Sequence, residues 1–290
     1  VKIMNINGKT QLIGLLGWPV SHSFSPAMHN AAAEAAGLNW AYVPLPVRPD
    51  LVETAVRGLP ALGFRGVNVT IPHKQAVMPV LNKIEAGAQA IGAVNTIKIE
   101  LEANEPFLTG FNTDWSGFLA DLVQLNVTVK GRECLVLGAG GSARAIVFGL
   151  AKAEAKRITL LSRRVEQATE LINSIAPFCP ANILHQSPLS KLPEVSQSCQ
   201  APIIINTTPL GMTPNAESSI WPESLPFPTG SFVYDLVYNP QQTRLMNQAQ
   251  SAGCRTANGL GMLIWQGAKA FEIWTGIMPD VAVMRQSCGL

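Results

Sequence analysis

The sequence predicts a two-domain α/β protein: an N-terminal α/β substrate domain on an open mixed sheet, followed by a domain of alternating strands and helices on a parallel sheet. Three observations carry the prediction. The chain has 290 residues, enough for two domains that each bury a core. Short apolar runs alternate with helical stretches through its second half, the βα pattern of a parallel sheet. Between the halves, Glu133-Cys134-Leu135-Val136-Leu137-Gly138-Ala139-Gly140-Gly141-Ser142-Ala143-Arg144 reads as strand, tight turn, helix. Gly138, Gly140 and Ala143 fill a G-x-G-x-x-G/A pattern. The first glycine permits the turn, the second lets a pyrophosphate approach the backbone, and the third small residue seats the helix on the strand. The N–H groups of Gly140 to Ala143 then point toward an anion. The second domain is therefore expected to be Rossmann-like.

Composition narrows the function class. With 47% hydrophobic and 14% charged residues, the chain reads as a compact globular protein. Its formal net charge of +2 is too close to zero to favour nucleic acid or an acidic membrane as partner. No stretch approaches the ~18 uninterrupted apolar residues of a membrane span, and the first residues carry no apolar core of a secretion signal. A cytoplasmic location is expected. Cys134, Cys179, Cys199, Cys254 and Cys288 include no C-x-x-C pair, which argues against a disulfide framework or a zinc site. They read as buried small hydrophobes. His22 and His29 have no carboxylate at metal-ligand spacing, so no metal is expected.

In the first domain, Gln11 to Leu16 is a strand that ends in Gly17-Trp18-Pro19, and Ser25-Pro26 starts a helix with serine as N-cap and proline in the first turn. Ser23, two residues earlier, presents a hydroxyl at the end of the first strand, where ligands bind in open α/β sheets. Trp40 to Pro46 is the next strand, and Pro49 to Leu59 an amphipathic helix. Arg65 to Ile71 is a third strand, closed by Pro72-His73-Lys74, so that Thr70 and Lys74 flank a turn on the side of Ser23. Gly92 to Ile97 reads as a strand with Asn95-Thr96 in its middle, an awkward place for Asn given its low β propensity. Phe107 to Phe111 leads into Asn112-Thr113-Asp114, and Trp115 to Leu125 is a helix running toward the glycine turn.

Strands are expected in the second domain at Cys134–Leu137, Arg157–Leu161, Ile203–Asn206 and Phe232–Leu236. The second of them ends in Ser162-Arg163-Arg164 and carries no acidic residue. An Asp or Glu there would bind the ribose 2′-hydroxyl of NAD, whereas arginines accommodate the 2′-phosphate of NADP. Asn206-Thr207-Thr208-Pro209-Leu210-Gly211-Met212 follows a strand end, with small polar residues and a methionine where a nicotinamide ring would lie. Pro240 and Thr243 start a helix. After a short strand near Arg255 to Ala257, Asn258-Gly259 turns into a helix from Leu260 to Thr275 that carries Gln266 among apolar neighbours. The domains are expected to be 1–113, completed by 259–290, and 114–258, with a cleft between them.

Taken in order, these blocks resemble the signature of the shikimate dehydrogenase family: Ser23-Phe24-Ser25-Pro26 with His29-Asn30, Asn68-Val69-Thr70-Ile71-Pro72-His73-Lys74, Gly92-Ala93-Val94-Asn95-Thr96, Asn112-Thr113-Asp114, the glycine turn, Asn206 to Met212, Tyr234-Asp235-Leu236-Val237-Tyr238, and Asn258-Gly259 with Gln266. The resemblance runs from about Gly14 to about Gly276. It implies NADP-dependent, reversible reduction of 3-dehydroshikimate to shikimate, as in aromatic amino acid biosynthesis. It also implies roles. The counterparts of Ser23 and Ser25 hold the substrate carboxylate with help from that of Tyr238. Those of Thr70, Lys74, Asn95, Asp114 and Gln266 surround the ring hydroxyls, and Lys74 and Asp114 match the catalytic pair. Gly138, Ala139, Gly140, Gly141, Ser142, Ser162, Arg163, Arg164, Thr207, Met212, Leu236 and Gly259 match positions along the cofactor. The usual Asn-Arg-Thr after the second strand is Ser162-Arg163-Arg164 here, which keeps the phosphate-binding arginine as Arg163 and leaves the role of Arg164 open.

The residue types suit the chemistry. As a hydride reaches the carbonyl carbon, its oxygen must receive a proton. A free lysine titrates near ~10.4 and is protonated for that task, while a neighbouring carboxylate fixes its position. Two other readings stay open on sequence: a quinate/shikimate dehydrogenase of dual specificity, and a non-catalytic NADP-binding sensor. The intact Ser23-x-Ser25 favours shikimate over quinate, and the presence of both Lys74 and Asp114 favours an enzyme over a sensor. Expected partners are the small-molecule substrate and, with oligomeric state undecided, a second copy in a homodimer.

Overall fold

A computed structural model describes residues 6–289 of the chain. The chain divides into two compact units, one made of the residues up to Gly117 and from Ile264 onward, the other of Phe118–Leu263. The divisions fall inside helices, about one helical turn beyond the expected junctions.

The first unit contains β1 (Gln11–Gly17), α1 (Ser25–Ala35), β2 (Trp40–Pro46), α2 (Val52–Gly58), β3 (Phe64–Val69), β4 (Lys83–Ile84), α3 (Ala86–Ile91), β5 (Thr96–Glu102), β6 (Glu105–Phe111) and the start of α4 (Asp114–Gln124). Its sheet has the order β2-β1-β3-β5-β6-β4. β1 lies parallel between β2 and β3, β5 runs antiparallel to β3 and β6, and β4 is parallel to β6. The sheet is therefore mixed, as expected. The β5–β6 hairpin closes through Ala103 and Asn104, whose φ angles of 50° and 66° are left-handed, the conformation that a two-residue turn needs to match strand twist.

Two sequence expectations need correction in this unit, and one element goes unannounced in the sequence. Gly92 to Asn95 is not strand: α3 ends on Gly92 in the left-handed region, and β5 begins only at Thr96, so Asn95 precedes the ladder that its side chain would have weakened. Ser25 is not the cap of α1. The cap position falls on Phe24 without a side-chain hydrogen bond, and it is Ser23 Oγ that accepts from Ser25 N at 3.2 Å. Pro26 does sit in the first turn. Finally, β4 has no sequence counterpart, being only two residues long.

The second unit continues with β7 (Glu133–Leu137), α5 (Gly141–Lys152), β8 (Arg157–Ser162), α6 (Val165–Ile175), β9 (Leu184–Pro188), α7 (Leu192–Gln197), β10 (Ile203–Asn206), β11 (Phe232–Asp235), α8 (Arg244–Ser251) and β12 (Arg255–Asn258). All strands are parallel, in the order β12-β11-β10-β7-β8-β9. Read from the other edge, this is the doubly wound order in which the winding reverses between β7 and β10, the place where such sheets bind ligands. The central strands are buried on both faces, so Leu135, Leu137, Leu161, Ile204 and Val233 enter one cluster while their neighbours face the opposite helices. β9, Leu184-His185-Gln186-Ser187-Pro188, was not expected. It is a polar edge strand, which needs no apolar run.

α9 (Leu260–Thr275) and α10 (Val281–Ser287) follow. The part of α9 beyond Ile264 belongs to the first unit, where Ala270 and Trp274 pack on Ile13, Leu15 and Tyr42 of the sheet, and Trp274 Nε1 donates to Ile97 O at 2.9 Å. Cys134, Cys254 and Cys288 are buried as expected, but Cys179 and Cys199 are only partly so; all five are free.

Candidate functional site

The ends of β1, β2 and β3 are laced together by the backbone. Thr70 N donates to Leu16 O, Trp18 N to Ile71 O and Val47 N to Gly17 O, at 2.9 to 3.0 Å. His73 Nε2 lies 2.7 Å from Val47 O. These bonds set Thr70 and the turn to Lys74 at the C-terminal ends of β1 and β3, from which the loop that carries Ser23 also leaves. Val94 N donates to Lys74 O at 2.8 Å, so the backbone of Lys74 is tied to the segment that delivers Asn95.

Lys74 Nζ donates to Asp114 Oδ2 at 2.7 Å. The pair is partly buried, with 30% of the lysine side chain and 14% of the aspartate side chain exposed. The other oxygen, Asp114 Oδ1, accepts from Asn95 Nδ2 at 2.9 Å, and the same amide reaches Gln266 Oε1 at 3.4 Å. The orientation of Asn95 is determined, because its Oδ1 accepts from Thr113 N at 2.8 Å and a backbone N–H can only donate. Asp114 is held at the start of α4 by Asn112, whose Oδ1 accepts from Asp114 N at 3.0 Å and whose Nδ2 donates to Ala93 O. Gln266 comes this close because Gly117 on α4 has no side chain: an added Cβ would lie 2.5 Å from Gln266 N. The structure thus joins four of the expected residues, Lys74, Asp114, Asn95 and Gln266, in one hydrogen-bonded cluster.

Behind this cluster runs a buried polar chain that sequence reasoning missed. Thr96 Oγ1 donates to Asn95 Oδ1 at 3.0 Å and accepts from Asn68 Nδ2 at 3.1 Å; Asn68 Oδ1 accepts from Tyr42 OH at 2.9 Å. Asn68 and Thr96 face each other across β3 and β5, a pairing that the sequence does not display. Burial pushes the Tyr42 phenol above its ordinary range. His29 stacks on Tyr42 with ring centroids 4.4 Å apart, and among the described residues neither of its nitrogens has a hydrogen-bond partner. Its place is structural.

In the second unit, Gly138 and Thr207 follow the ends of β7 and β10, between which the winding reverses. Gly138 has φ of 113°, and an added Cβ would lie 2.7 Å from Thr207 Oγ1; only glycine serves both conditions. Thr207 N and Oγ1 both donate to Leu137 O at 2.9 Å, tying the loop after β10 to the end of β7. α5 begins at Gly141 with Gly140 as an uncapped N-cap and no acidic residue in its first turn. A Cβ on Gly140 or Gly141 would meet nothing within 4 Å, so Ala139 to Ser142 offer open backbone at a helix N-terminus, which fits a pyrophosphate. Ser162 is buried, and its Oγ donates to Arg164 O at 2.7 Å. It shapes the turn, while Arg163 and Arg164 are exposed. Leu236 and Gly259 are in close contact: a Cβ at Gly259 would lie 2.1 Å from Leu236 O. Met212 is 47% exposed. Tyr238 lies in this unit, three residues past the end of β11.

Among the described residues no group of three His, Cys, Asp or Glu side chains could hold a metal ion, and no helix is long and apolar enough to cross a membrane.

Comparison with known proteins is consistent along the whole chain. Residues 15–97 match the shikimate dehydrogenase substrate binding domain, and residues 259–288 the shikimate 5′-dehydrogenase C-terminal domain. The NADP(+) shikimate dehydrogenase of Moorella thermoacetica is 44% identical over 283 residues, covering 97% of this chain and 94% of the relative. The crystal structure of shikimate 5-dehydrogenase from Thermus thermophilus in complex with NADP(H) and shikimate is similar with a TM-score of 0.84 at 35% identity, covering 96% of this chain and 98% of that one. Quinate dehydrogenase from Corynebacterium glutamicum in complex with NAD is similar with a TM-score of 0.88 at 30% identity, covering 96% and 98%.

Proposed function

This chain belongs to the shikimate dehydrogenase family, and from that premise we propose that it catalyses the reversible, NADP-dependent reduction of 3-dehydroshikimate to shikimate. The observation that carries the reading is the Lys74–Asp114 contact of 2.7 Å, steadied by Asn95.

In the direction of reduction, Lys74 Nζ gives a proton to the carbonyl oxygen as it becomes a hydroxyl; in oxidation it takes one back. Asp114 keeps the ammonium in place and accepts a hydrogen bond from a substrate hydroxyl. Asn95, Gln266 and Thr70 offer donors and acceptors to the remaining ring hydroxyls, while Ser23, Ser25 and Tyr238 offer hydroxyls to the carboxylate. NADPH, when bound, supplies the hydride that reaches the carbonyl carbon. The backbone of Gly138, Ala139, Gly140, Gly141 and Ser142 receives the pyrophosphate, and Arg163 with Arg164 takes the 2′-phosphate on a turn that Ser162 closes. Thr207, Met212, Leu236 and Gly259 form the seat of the nicotinamide. The absence of an acidic residue from Ser162-Arg163-Arg164 supports NADP over NAD. The same reading puts the enzyme in the cytoplasm and allows a homodimer.

The test is formation of NADPH or NADH, followed by absorbance, with shikimate and with quinate, each paired with NADP and with NAD. The highest kcat/KM is expected for shikimate with NADP. A higher value for quinate with NAD contradicts the substrate assignment, and cofactor binding without turnover contradicts the enzyme.

A further inference from the structure

Asp235 ends β11 with no exposed surface. Its Oδ1 accepts from Asn206 Nδ2 at 2.8 Å and from Val237 N at 3.1 Å, and its Oδ2 accepts from Thr243 Oγ1 at 2.7 Å. These three donors are an amide, a backbone N–H and a hydroxyl; none is a cation. Burial pushes the carboxyl above its ordinary range, and the three hydrogen bonds oppose that shift. An apolar side chain would avoid the desolvation, so the carboxylate has to be explained by what it holds.

Each donor leads to a different segment. Asn206 Oδ1 accepts from Thr208 N and Oγ1 at 3.0 and 2.7 Å, and Asn206 Nδ2 also reaches Leu210 O at 3.3 Å. That fixes the loop between Thr207 and Met212. Val237 N closes the turn around Leu236, whose carbonyl packs against Gly259. Thr243 Oγ1 accepts from Met246 N as the cap of α8. One buried carboxylate therefore ties together the segments that carry Thr207, Met212, Leu236 and, through Leu236, Gly259.

We infer that Asp235 is a positioning residue for the nicotinamide half of the cofactor, acting through Asn206, Val237 and Thr243 without touching the cofactor itself. The inference rests on the NADP reading above. It predicts a split that a general loss of structure would not produce: the glycine turn meets Asp235 indirectly, through the loop at Thr207, which Leu137 O also holds, and Arg163 follows β8, on the far side of β7 from that loop.

The test compares binding of NADPH and of 2′,5′-ADP, which lacks the nicotinamide, to the wild-type chain and to Asp235→Asn, by fluorescence titration and calorimetry. Asp235→Asn is expected to weaken NADPH roughly 10- to 100-fold and to lower kcat, with the 2′,5′-ADP affinity held within about twofold. Thr243→Val, which removes one donor, should move the same quantities in the same direction by less, and it carries the test alone if Asp235→Asn does not fold. Equal weakening of both ligands, or no change in either, overturns the inference. A wild-type chain that binds both ligands yet does not oxidise shikimate overturns the functional reading instead, while the split between the two ligands still decides the role of Asp235.

Discussion

Asn95 Nδ2 donates to Asp114 Oδ1 at 2.9 Å, so the carboxylate that meets Lys74 with one oxygen is gripped at the other by an amide that cannot turn over. Asn95→Ala removes that grip and leaves Thr113 N and Thr96 Oγ1 without their acceptor. A loss of about 1–3 kcal/mol in unfolding free energy is expected for each buried group so orphaned, together with at least about a tenfold fall in kcat/KM as Asp114 loses its position. Denaturant unfolding and steady-state kinetics on one preparation check both.

Two glycines of the second unit separate shape from stability. Gly140→Ala adds a methyl that meets nothing within 4 Å, so its effect on stability should be about 1 kcal/mol or less, while the methyl stands where a pyrophosphate approaches and weakens NADPH. Gly259→Ala puts a Cβ 2.1 Å from Leu236 O and should cost about 1–3 kcal/mol of stability. Thermal unfolding with and without NADPH distinguishes the two; the reverse order of stabilities would contradict the packing described.

Arg163 and Arg164 are exposed after β8 with no acidic residue beside them in the turn. A charge-assisted hydrogen bond is worth roughly 1.5–3 kcal/mol, so Arg163→Ala should reduce the preference for NADPH over NADH by about ten- to hundredfold. Arg164→Ala, measured alone and in combination, shows whether the second guanidinium shares the phosphate. An unchanged NADPH/NADH ratio in the double variant would remove the phosphate from this turn.

His29 makes stability depend on pH. Burial lowers its pKa from 6.5 to about 3, and its neighbours are Tyr42, Phe271 and Trp274. The folded ring stays neutral where the unfolded ring takes up a proton, so this residue's contribution is whole above pH 6.5 and is lost as pH falls from there toward 3. The slope approaches about 1.4 kcal/mol per pH unit. His29→Leu should flatten the fall in unfolding free energy between mildly acidic and neutral pH; parallel curves for the two proteins would show that the ring titrates normally in the fold.

Most of this architecture was legible because its signals are local. The glycine turn at Gly138, the apolar strands around it and the α9 helix each announce themselves within about ten residues. The elements that escaped are those without such a signal: β4 with two residues, and β9, a polar edge strand whose ladder partner β8 supplies the apolar content. Asn95 is a poor strand residue, and the structure resolves the conflict by placing it before the strand, in a position fixed by Thr113. What the sequence hides is partnership at a distance. Tyr42 reads as an ordinary strand residue, and Asn68, Thr96 and Asp235 stand in the family's blocks without a role of their own, until the fold brings Asn68 to Tyr42 and Thr96, and Asn206 and Thr243 to Asp235.

The central claim is that Lys74 moves the proton while Asp114 holds it in place. Turnover of shikimate with NADP by Lys74→Ala, against the wild-type chain, tests it most directly, with circular dichroism and NADPH affinity as controls for the fold. A fall in kcat of roughly 10²–10⁴ at unchanged NADPH affinity is the predicted result. Near-normal kcat in a folded, cofactor-binding Lys74→Ala protein would contradict it.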